Sequence, residues 1–221
     1  DNLQRVRTRI ASACTAHGRD PADVQLLAVS KTFGPEAVRE AHAAGQTAFG
    51  ENYIQEAVEK IALLQDLPLQ WHCIGPIQSN KTRLVAAHFD WAHTVDRLKI
   101  AQRLSEQRPD GLAPLQVCIQ VNIDGGATKA GVAPDEALAL AREVARLPRL
   151  ALRGLMTIPE PAADPAAQRA VHEKARDLFD TLRAQGLALD TLSMGMTSDL
   201  EAAIAAGSTL VRVGSGIFGA R

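Results

Sequence analysis

The stretch LDTLSMGMTSDLEAAIAAGSTLVRVG, residues 189–214, contains two strand-like runs separated by a helical run. The strand-like runs are residues 189–194 and 209–213, and the helical run is residues 198–206, which Gly207 ends as a C-cap. The same alternation of short apolar runs and helical patterns continues through the rest of the chain. We predict six further strands, at residues 25–30, 47–50, 70–75, 90–95, 115–122 and 152–158.

Helical runs lie between these strands, and one more precedes them. The first helix is predicted near residues 2–17, where apolar residues recur at about one helical turn, at Leu3, Val6, Ile10 and Cys14. The others are predicted at residues 35–45, 53–65, 78–88, 96–108, 134–147 and 166–185. Eight strands that alternate with helices predict a parallel sheet, and eight is the number that closes a (β/α)8 barrel of the TIM type. An open, doubly wound α/β sheet is the alternative, because one miscounted strand would change the closure.

Length and composition limit the domain organisation and the partners. The 221 residues suffice for one barrel, so we predict a single domain over residues 1–221 with an extra N-terminal helix. A net charge of −1, with acidic and basic residues interspersed, argues against nucleic acid or an anionic membrane as a partner.

Cysteine usage and the lack of long apolar segments indicate where the protein resides. The three cysteines lie far apart in the sequence, without disulfide or zinc spacing, which favours a reducing compartment. No stretch resembles a membrane span or a signal peptide. We therefore expect a soluble, cytoplasmic protein, and a monomer because the lone barrel leaves no dimerisation domain.

Lys31 follows the first predicted strand, in the run LLAVSKT at residues 26–32. Barrel enzymes carry their chemistry at the C-terminal ends of the strands, and phosphate usually binds in the loops after strands seven and eight. Strand eight neighbours strand one in a closed barrel, so Lys31 and those two loops would meet at one mouth. A lysine amine in a suitable environment can form a Schiff base with an aldehyde. The alternative interpretation is a lysine that points to solvent.

The loop after strand seven, SMGMTSDLE at residues 193–201, is a candidate phosphate site. Ser198 and Glu201 have the spacing of a capping box, which predicts a helix start, and free amides at a helix N-terminus favour a dianion. An ordinary capped helix would give the same pattern. The candidate binding residues of this loop are Ser193, Met194, Gly195, Thr197 and Ser198.

The loop after strand eight, VRVGSGIFG at residues 211–219, is the second candidate. Its glycines leave backbone amides free to face phosphate oxygens, so Gly214 and Ser215 are further candidate binding residues. Arg212 shares a strand face with Leu210, and a buried arginine needs a partner. A ligand atom would serve, and so would a carboxylate such as Glu51.

Other polar residues follow or occupy the neighbouring strands. Asn52 follows the second strand and is a candidate cofactor-binding residue, while Asn122 and Lys129 are further candidates at the mouth. His72 is interpreted as a polar strand residue rather than as a general base.

A lysine at a strand end with a remote phosphate cradle suits a phosphorylated aldehyde. Pyridoxal 5'-phosphate is the aldehyde cofactor of that kind.

These segments resemble the pyridoxal phosphate homeostasis protein family, which is related in fold to the N-terminal barrel of alanine racemase. The resemblance spans nearly the whole chain, through VSKT, FGENYIQE, WHCIGPIQSNK, LRGLMTIP, LSMGMTSDLEAAIAAGSTLVRVG and IFGAR. It implies a (β/α)8 barrel with pyridoxal phosphate on Lys31 and phosphate contacts in residues 194–198 and 214–215. It also implies that Arg212 lies near the pyridine nitrogen.

The chain departs from the family pattern at a few positions. Thr197 and Ser198 stand where the family commonly has Ser-Asp, and Ser215 stands where threonine is usual, but hydroxyls remain in both loops. The segment GGATK lacks the glutamate often seen before the lysine that matches Lys129, which leaves the role of that loop open.

The resemblance implies a cofactor carrier in vitamin B6 and amino-acid homeostasis, without robust catalysis, whose partners are the cofactor and the apoenzymes that receive it. An arginine beside the pyridine nitrogen would keep that nitrogen unprotonated and weaken the cofactor as an electron sink. One alternative is an amino-acid racemase of the same fold, which would need a second base opposite Lys31. Another is a barrel enzyme that acts on a phosphorylated sugar through Lys31.

Overall fold

The computed structural model describes residues 1–126 and 130–220 as a barrel of parallel strands. Successive strands pair in chain order, and the last strand pairs with the first through the register Leu27↔Arg212, so the barrel is closed. The (β/α)8 prediction is confirmed, and the open doubly wound alternative is excluded. The strands are β1 (Gln25–Val29), β2 (Ala48–Glu51), β3 (Gln70–Cys73), β4 (Trp91–Val95), β5 (Leu115–Gln120), β6 (Leu150–Met156), β7 (Thr191–Ser193) and β8 (Leu210–Val213).

Helices surround the barrel and connect its strands. They are α1 (Asn2–Ala16), α2 (Pro35–Ala43), α3 (Ile54–Leu63), α4 (Thr82–His88), α5 (Leu98–Gln107), α6 (Ala137–Ala145), α7 (Pro165–Ala184), α8 (Leu200–Ala206) and α9 (Ser215–Phe218). The predicted N-terminal helix is present as α1, which packs against α8 and α9 and buries Leu3, Val6, Ile10 and Cys14. Gly207 ends α8 with a φ of 111°, as its C-cap assignment requires. None of the described helices is long and apolar enough to cross a membrane.

The predicted helix start at Ser198 is wrong. Residues 197–199 form a turn, and α8 begins two residues later than predicted, at Leu200, with Asp199 as its N-cap. Glu201 does not complete a capping box, because the guanidinium of Arg9 donates to both of its carboxylate oxygens, at 2.7 and 2.8 Å. The contact of α1 with α8 thus gives this glutamate a tertiary partner that the local spacing does not reveal. The four-residue helix α9 and three short 3-10 turns were also not predicted.

The core has two parts. The larger part lies between the strands and the helices, where Phe49, Leu155 and Phe179 are almost completely buried, each contributing roughly 1.5–3 kcal/mol of burial free energy. The inside of the barrel contains two smaller apolar clusters, one with Leu27 and Leu210 and one with Trp91 and its neighbours. The barrel interior also contains buried polar groups, which is where the candidate site begins.

Candidate functional site

A cavity of about 400 Å³ opens at the C-terminal ends of the strands. This volume lies within the range of roughly 300–1,000 Å³ that is usual for small-molecule sites. The cavity brings together seven of the ten candidate binding residues, and the rest of its lining is apolar. The candidates in the lining are Lys31, Asn52, Thr197, Ser198, Arg212, Gly214 and Ser215, and the other lining residues are Val29, Ile74, Ile158 and Met196.

Lys31 is half-buried at the end of β1, and its two neighbours are held tightly. Thr32 has a φ of 67°, a left-handed conformation that is uncommon for a residue with a branched side chain. Its backbone N–H donates to Oε1 of Glu56 at 2.8 Å. On the other side, the N–H of Ser30 donates to the carbonyl of Gly50 at 2.9 Å. The backbone that carries Lys31 is therefore fixed on both sides.

A buried ion pair lies behind this segment. Nζ of Lys60 donates to Oε2 of Glu51 and to the carbonyl of Ser30, at 2.8 Å each, and Lys60 is 5 % exposed. The Ser30 hydroxyl also donates to Oε2 of Glu51. Burial raises the pKa of Glu51, and the hydrogen bond from Lys60 opposes that rise. Glu51 thus pairs with Lys60, and the alternative of an ion pair between Glu51 and Arg212 is not what the structure shows.

The turn before α8 is anchored by Asp199. Its Oδ1 accepts the backbone N–H of Met196 at 2.7 Å, and its Oδ2 is 2.8 Å from Nε2 of His172. Burial raises the pKa of Asp199, but the hydrogen bonds to His172 and to the Met196 backbone lower it by more. This turn presents Thr197 and Ser198 to the cavity.

Three candidates from the same loop do not line the cavity. Ser193 and Met194 are completely buried beneath it. Gly195 has a φ of 104°, and a Cβ there would lie 2.6 Å from the Cβ of Ala203 on α8. The glycine is required for the close packing of loop and helix, which is a structural role.

Arg212 projects into the barrel from β8, as its face on that strand predicts. Its Nη1 donates to Oγ of Ser193 at 2.7 Å, and its Nη2 donates to the carbonyl of Thr157 at 2.8 Å. Burial lowers the pKa of Arg212 to about 10, so the side chain stays a cation at neutral pH. Because Arg212 also lines the cavity, it places a permanent positive charge on the cavity wall.

Two histidines continue from Ser193 toward the other end of the barrel. Nδ1 of His93 is 2.9 Å from Oγ of Ser193, and its Nε2 is 2.8 Å from Nδ1 of His72. Nε2 of His72 is 2.8 Å from Oε1 of Gln70. Burial lowers the pKa of His72 to about 3 and that of His93 well below its ordinary value, so both are neutral. His72 therefore lies inside the barrel, as expected for a polar strand residue.

The chemistry of the lining fits a phosphorylated aldehyde with a ring nitrogen. It provides an amine, hydroxyl groups and a cation in one cavity. Oδ1 of Asn52 is buried in the wall without a hydrogen-bond partner among the described residues, which is a costly arrangement unless a ligand supplies a donor. Among those residues, no cluster of His, Cys, Asp or Glu could hold a metal ion.

Sequence reasoning missed several residues of the site. Lys60 and His93 were not singled out, nor were the apolar lining residues. The sequence pattern that could have indicated a buried Lys60 is its position beside the apolar face of α3, which includes Ile54, Ala57 and Ile61. Asn122 is not in the described lining, and Lys129 lies outside the described residues.

Comparison with known proteins places this barrel in a family. The sequence profile of the alanine racemase N-terminal domain matches residues 2–221. The pyridoxal phosphate homeostasis protein of Pseudomonas aeruginosa is 62 % identical over 221 residues, covering 100 % of this chain and 95 % of the relative. The chain belongs to the pyridoxal phosphate homeostasis protein family. The relative of that name in Escherichia coli K12 is 54 % identical over 223 residues, and the match covers 100 % of this chain and 95 % of the relative.

Solved structures agree with this family assignment. PipY of Synechococcus elongatus without PLP has a TM-score of 0.85 at 42 % identity, and PipY with PLP bound has a TM-score of 0.83 at 40 % identity. Both matches cover 95 % of this chain and 100 % of PipY. An alanine racemase of Corynebacterium glutamicum has a TM-score of 0.69 at 17 % identity, covering 99 % of this chain and 61 % of the racemase, which shows the fold alone.

Proposed function

We propose that this chain binds pyridoxal 5'-phosphate on Lys31 and acts in vitamin B6 and amino-acid homeostasis without robust catalysis. The observation that carries the proposal is the meeting of Lys31, the Thr197–Ser198 turn and Arg212 in one cavity at the C-terminal end of the barrel. The names of the relatives and the PLP-bound PipY structure support the same cofactor.

Each residue has a role that its position supports. When bound, pyridoxal phosphate supplies an aldehyde for a lysine amine and a phosphate dianion for hydrogen-bond donors. Lys31 provides the amine, and Arg212 provides donors for the ring nitrogen. The Asn52 amide, whose oxygen has no hydrogen-bond partner among the described residues, adds a polar group to the same cavity lining. The phosphate donors are the hydroxyls and backbone amides of Thr197, Ser198, Gly214 and Ser215.

The same lining argues against efficient racemisation. A racemase needs a second group that transfers a proton opposite the lysine. Among the described lining residues, Lys31 and Arg212 are the only ionisable groups, and an arginine stays protonated at neutral pH. The one tyrosine of the chain, Tyr53, is 53 % exposed and is not in that lining. The cavity is therefore suited to holding the cofactor.

The wider setting follows from the same features. We propose that apoenzymes receive the cofactor from this protein, and that it acts as a monomer in the cytoplasm. The cysteines, Cys14, Cys73 and Cys118, are buried free thiols, which suits a reducing compartment.

The test is to identify the lysine that carries the cofactor. Purified protein incubated with pyridoxal phosphate should acquire a visible absorption band, and borohydride reduction followed by peptide mapping should tag Lys31. Lys31→Ala should lose both signals while remaining folded, and Lys99→Ala, on the exposed side of α5, should keep them. A tag on another lysine would refute the assignment, and measurable turnover of amino-acid enantiomers by the native protein would favour the racemase alternative.

A further inference from the structure

A chain of hydrogen bonds runs through the barrel from the cavity to the opposite end. It begins at Arg212 and passes through Ser193, His93 and His72 to Gln70, with successive separations of 2.7, 2.9, 2.8 and 2.8 Å. Its middle members, Ser193, His93 and His72, are each 0 % exposed. Such polar groups inside a barrel are costly unless every one is satisfied.

The donor and the acceptor in each of these hydrogen bonds follow from the two ends of the hydrogen-bond chain, Arg212 and Gln70. Arginine can only donate, so Oγ of Ser193 accepts from Arg212. At the far end, Oε1 of Gln70 accepts from His72, and it also accepts from Nε2 of Gln25 at 3.4 Å. Nε2 of His72 therefore carries the proton, which makes its Nδ1 an acceptor.

The inner links then have one direction. Nε2–H of His93 donates to Nδ1 of His72, so Nδ1 of His93 is an acceptor, and the Ser193 hydroxyl donates to it. The reverse direction would leave the Ser193 hydrogen without an acceptor among the described residues, and it would require the side-chain amides of both Gln70 and Gln25 to turn over. Every donor in the chain consequently points away from Arg212, and both histidines are neutral with the proton on Nε2.

This direction has a consequence for Arg212. Because the Ser193 hydrogen is committed to His93, a serine lone pair is always directed at Nη1 of Arg212. The carbonyl of Thr157 fixes Nη2 from a second direction. These two contacts use two of the five N–H groups of the guanidinium, and Arg212 is one of the residues that line the cavity.

We infer that Ser193, His93 and His72 are positioning residues, which form a one-directional hydrogen-bond chain that fixes the orientation of Arg212 toward the ring nitrogen of the bound cofactor. This inference rests on the proposed function, because the ring nitrogen belongs to pyridoxal phosphate. The three residues do not touch the cavity, and they act only through the arginine.

The protonation of the ring nitrogen tests this role directly. Protein loaded with 15N-labelled pyridoxal phosphate is titrated with acid, and the nitrogen chemical shift reports when the ring takes up a proton. In the native protein the Arg212 donors should keep the nitrogen unprotonated at neutral pH. In His93→Leu the guanidinium loses its fixed orientation, so the pKa of the ring nitrogen should rise by about one unit, a roughly 10-fold gain in proton affinity.

Two controls separate positioning from general stability. His93→Asn places an amide oxygen near the position of Nδ1, so it can accept from Ser193 and should restore most of the native titration. Leu104→Ala removes a fully buried side chain of α5, outside the barrel interior, and should lower the unfolding temperature without changing the titration. His72→Leu, one link further from the arginine, should have a smaller effect than His93→Leu.

The outcomes distinguish this inference from the proposed function. If the native protein does not bind the labelled cofactor, the proposed function fails. If the native protein binds it and Arg212→Met shifts the titration, but folded His93→Leu titrates like the native protein, the positioning role is wrong. If His93→Leu does not fold, Ser193→Ala serves instead, because it removes the acceptor of Nη1 with a smaller change in volume. A native titration in folded Ser193→Ala would then overturn the inference.

Discussion

Replacing Lys60 with methionine should strongly destabilise the protein, because it leaves the Glu51 carboxylate buried without its cation. Lys60 also donates to the carbonyl of Ser30, so that acceptor loses its partner as well. Breaking a buried ion pair by removing one member costs about 3–5 kcal/mol. For a protein of this size, that loss lowers the unfolding temperature by on the order of 6–20 °C.

The loss of stability in Lys60→Met should be larger at high pH than at low pH. Burial raises the pKa of Glu51, and Lys60 opposes the rise, so Lys60→Met should raise that pKa further. Between the ordinary pKa of a glutamate, about 4.3, and the raised value, the folded variant binds a proton that the unfolded chain lacks. Its stability therefore increases as the pH falls through that window. We expect the difference between Lys60→Met and the native protein to be smaller at pH 5 than at pH 8.

Urea unfolding at both pH values measures this effect. Lys99→Met, which removes an exposed lysine of α5, is the matched control and should change stability by less than about 0.5 kcal/mol. The double variant Glu51→Gln/Lys60→Met removes the uncompensated charge and should recover much of the loss. A Lys60→Met variant within about 1 kcal/mol of the native protein at pH 8, or with equal losses at both pH values, would refute the reasoning.

Three further predictions concern the loops around the cavity. Replacing Thr197 and Ser215 together by alanine should weaken cofactor affinity in an equilibrium titration, since each hydroxyl bond to phosphate contributes roughly 1.5–3 kcal/mol, and unchanged affinity would place the phosphate elsewhere. Gly195→Ala should lower stability by on the order of 1–3 kcal/mol in thermal unfolding, because its Cβ would meet Ala203 at a φ of 104°. Asp199→Asn should be less stable than the native protein at neutral pH, and the difference should vanish as the pH falls through the lowered pKa of Asp199, which pH-dependent unfolding would show.

The sequence predicted the fold well because the barrel depends on patterns within short segments. Apolar runs identified every strand, and the alternation with helices identified the parallel connections. The predictions failed where a distant residue decided the local structure. Glu201 has capping-box spacing, but Arg9, nearly two hundred residues away in the sequence, binds its carboxylate instead.

The candidate site was predictable to the extent that its residues lie at strand ends. Lys31, Asn52 and Arg212 could be placed at the mouth from their position relative to the strands alone. The residues that fix them could not, because His93 and Lys60 meet their partners only through the register of neighbouring strands and the packing of α3. The pairing His72↔Trp91 places His93 beside His72 inside the barrel, and no spacing within either strand encodes that contact.

Two separate hydrogen-bond networks reach the cavity, and both favour holding a cofactor over turning over a substrate. The network of Lys60 and Glu51 fixes the backbone beside Lys31, and the chain through His93 fixes Arg212. Side chains that are fixed before binding lose little conformational entropy when the ligand binds, so this arrangement increases the affinity for the cofactor. The same arrangement keeps acids and bases away from a bound ligand, because the Glu51 carboxylate and both histidines are buried outside the described lining. The side chains that could have transferred protons are thus the ones that position the lysine and the arginine.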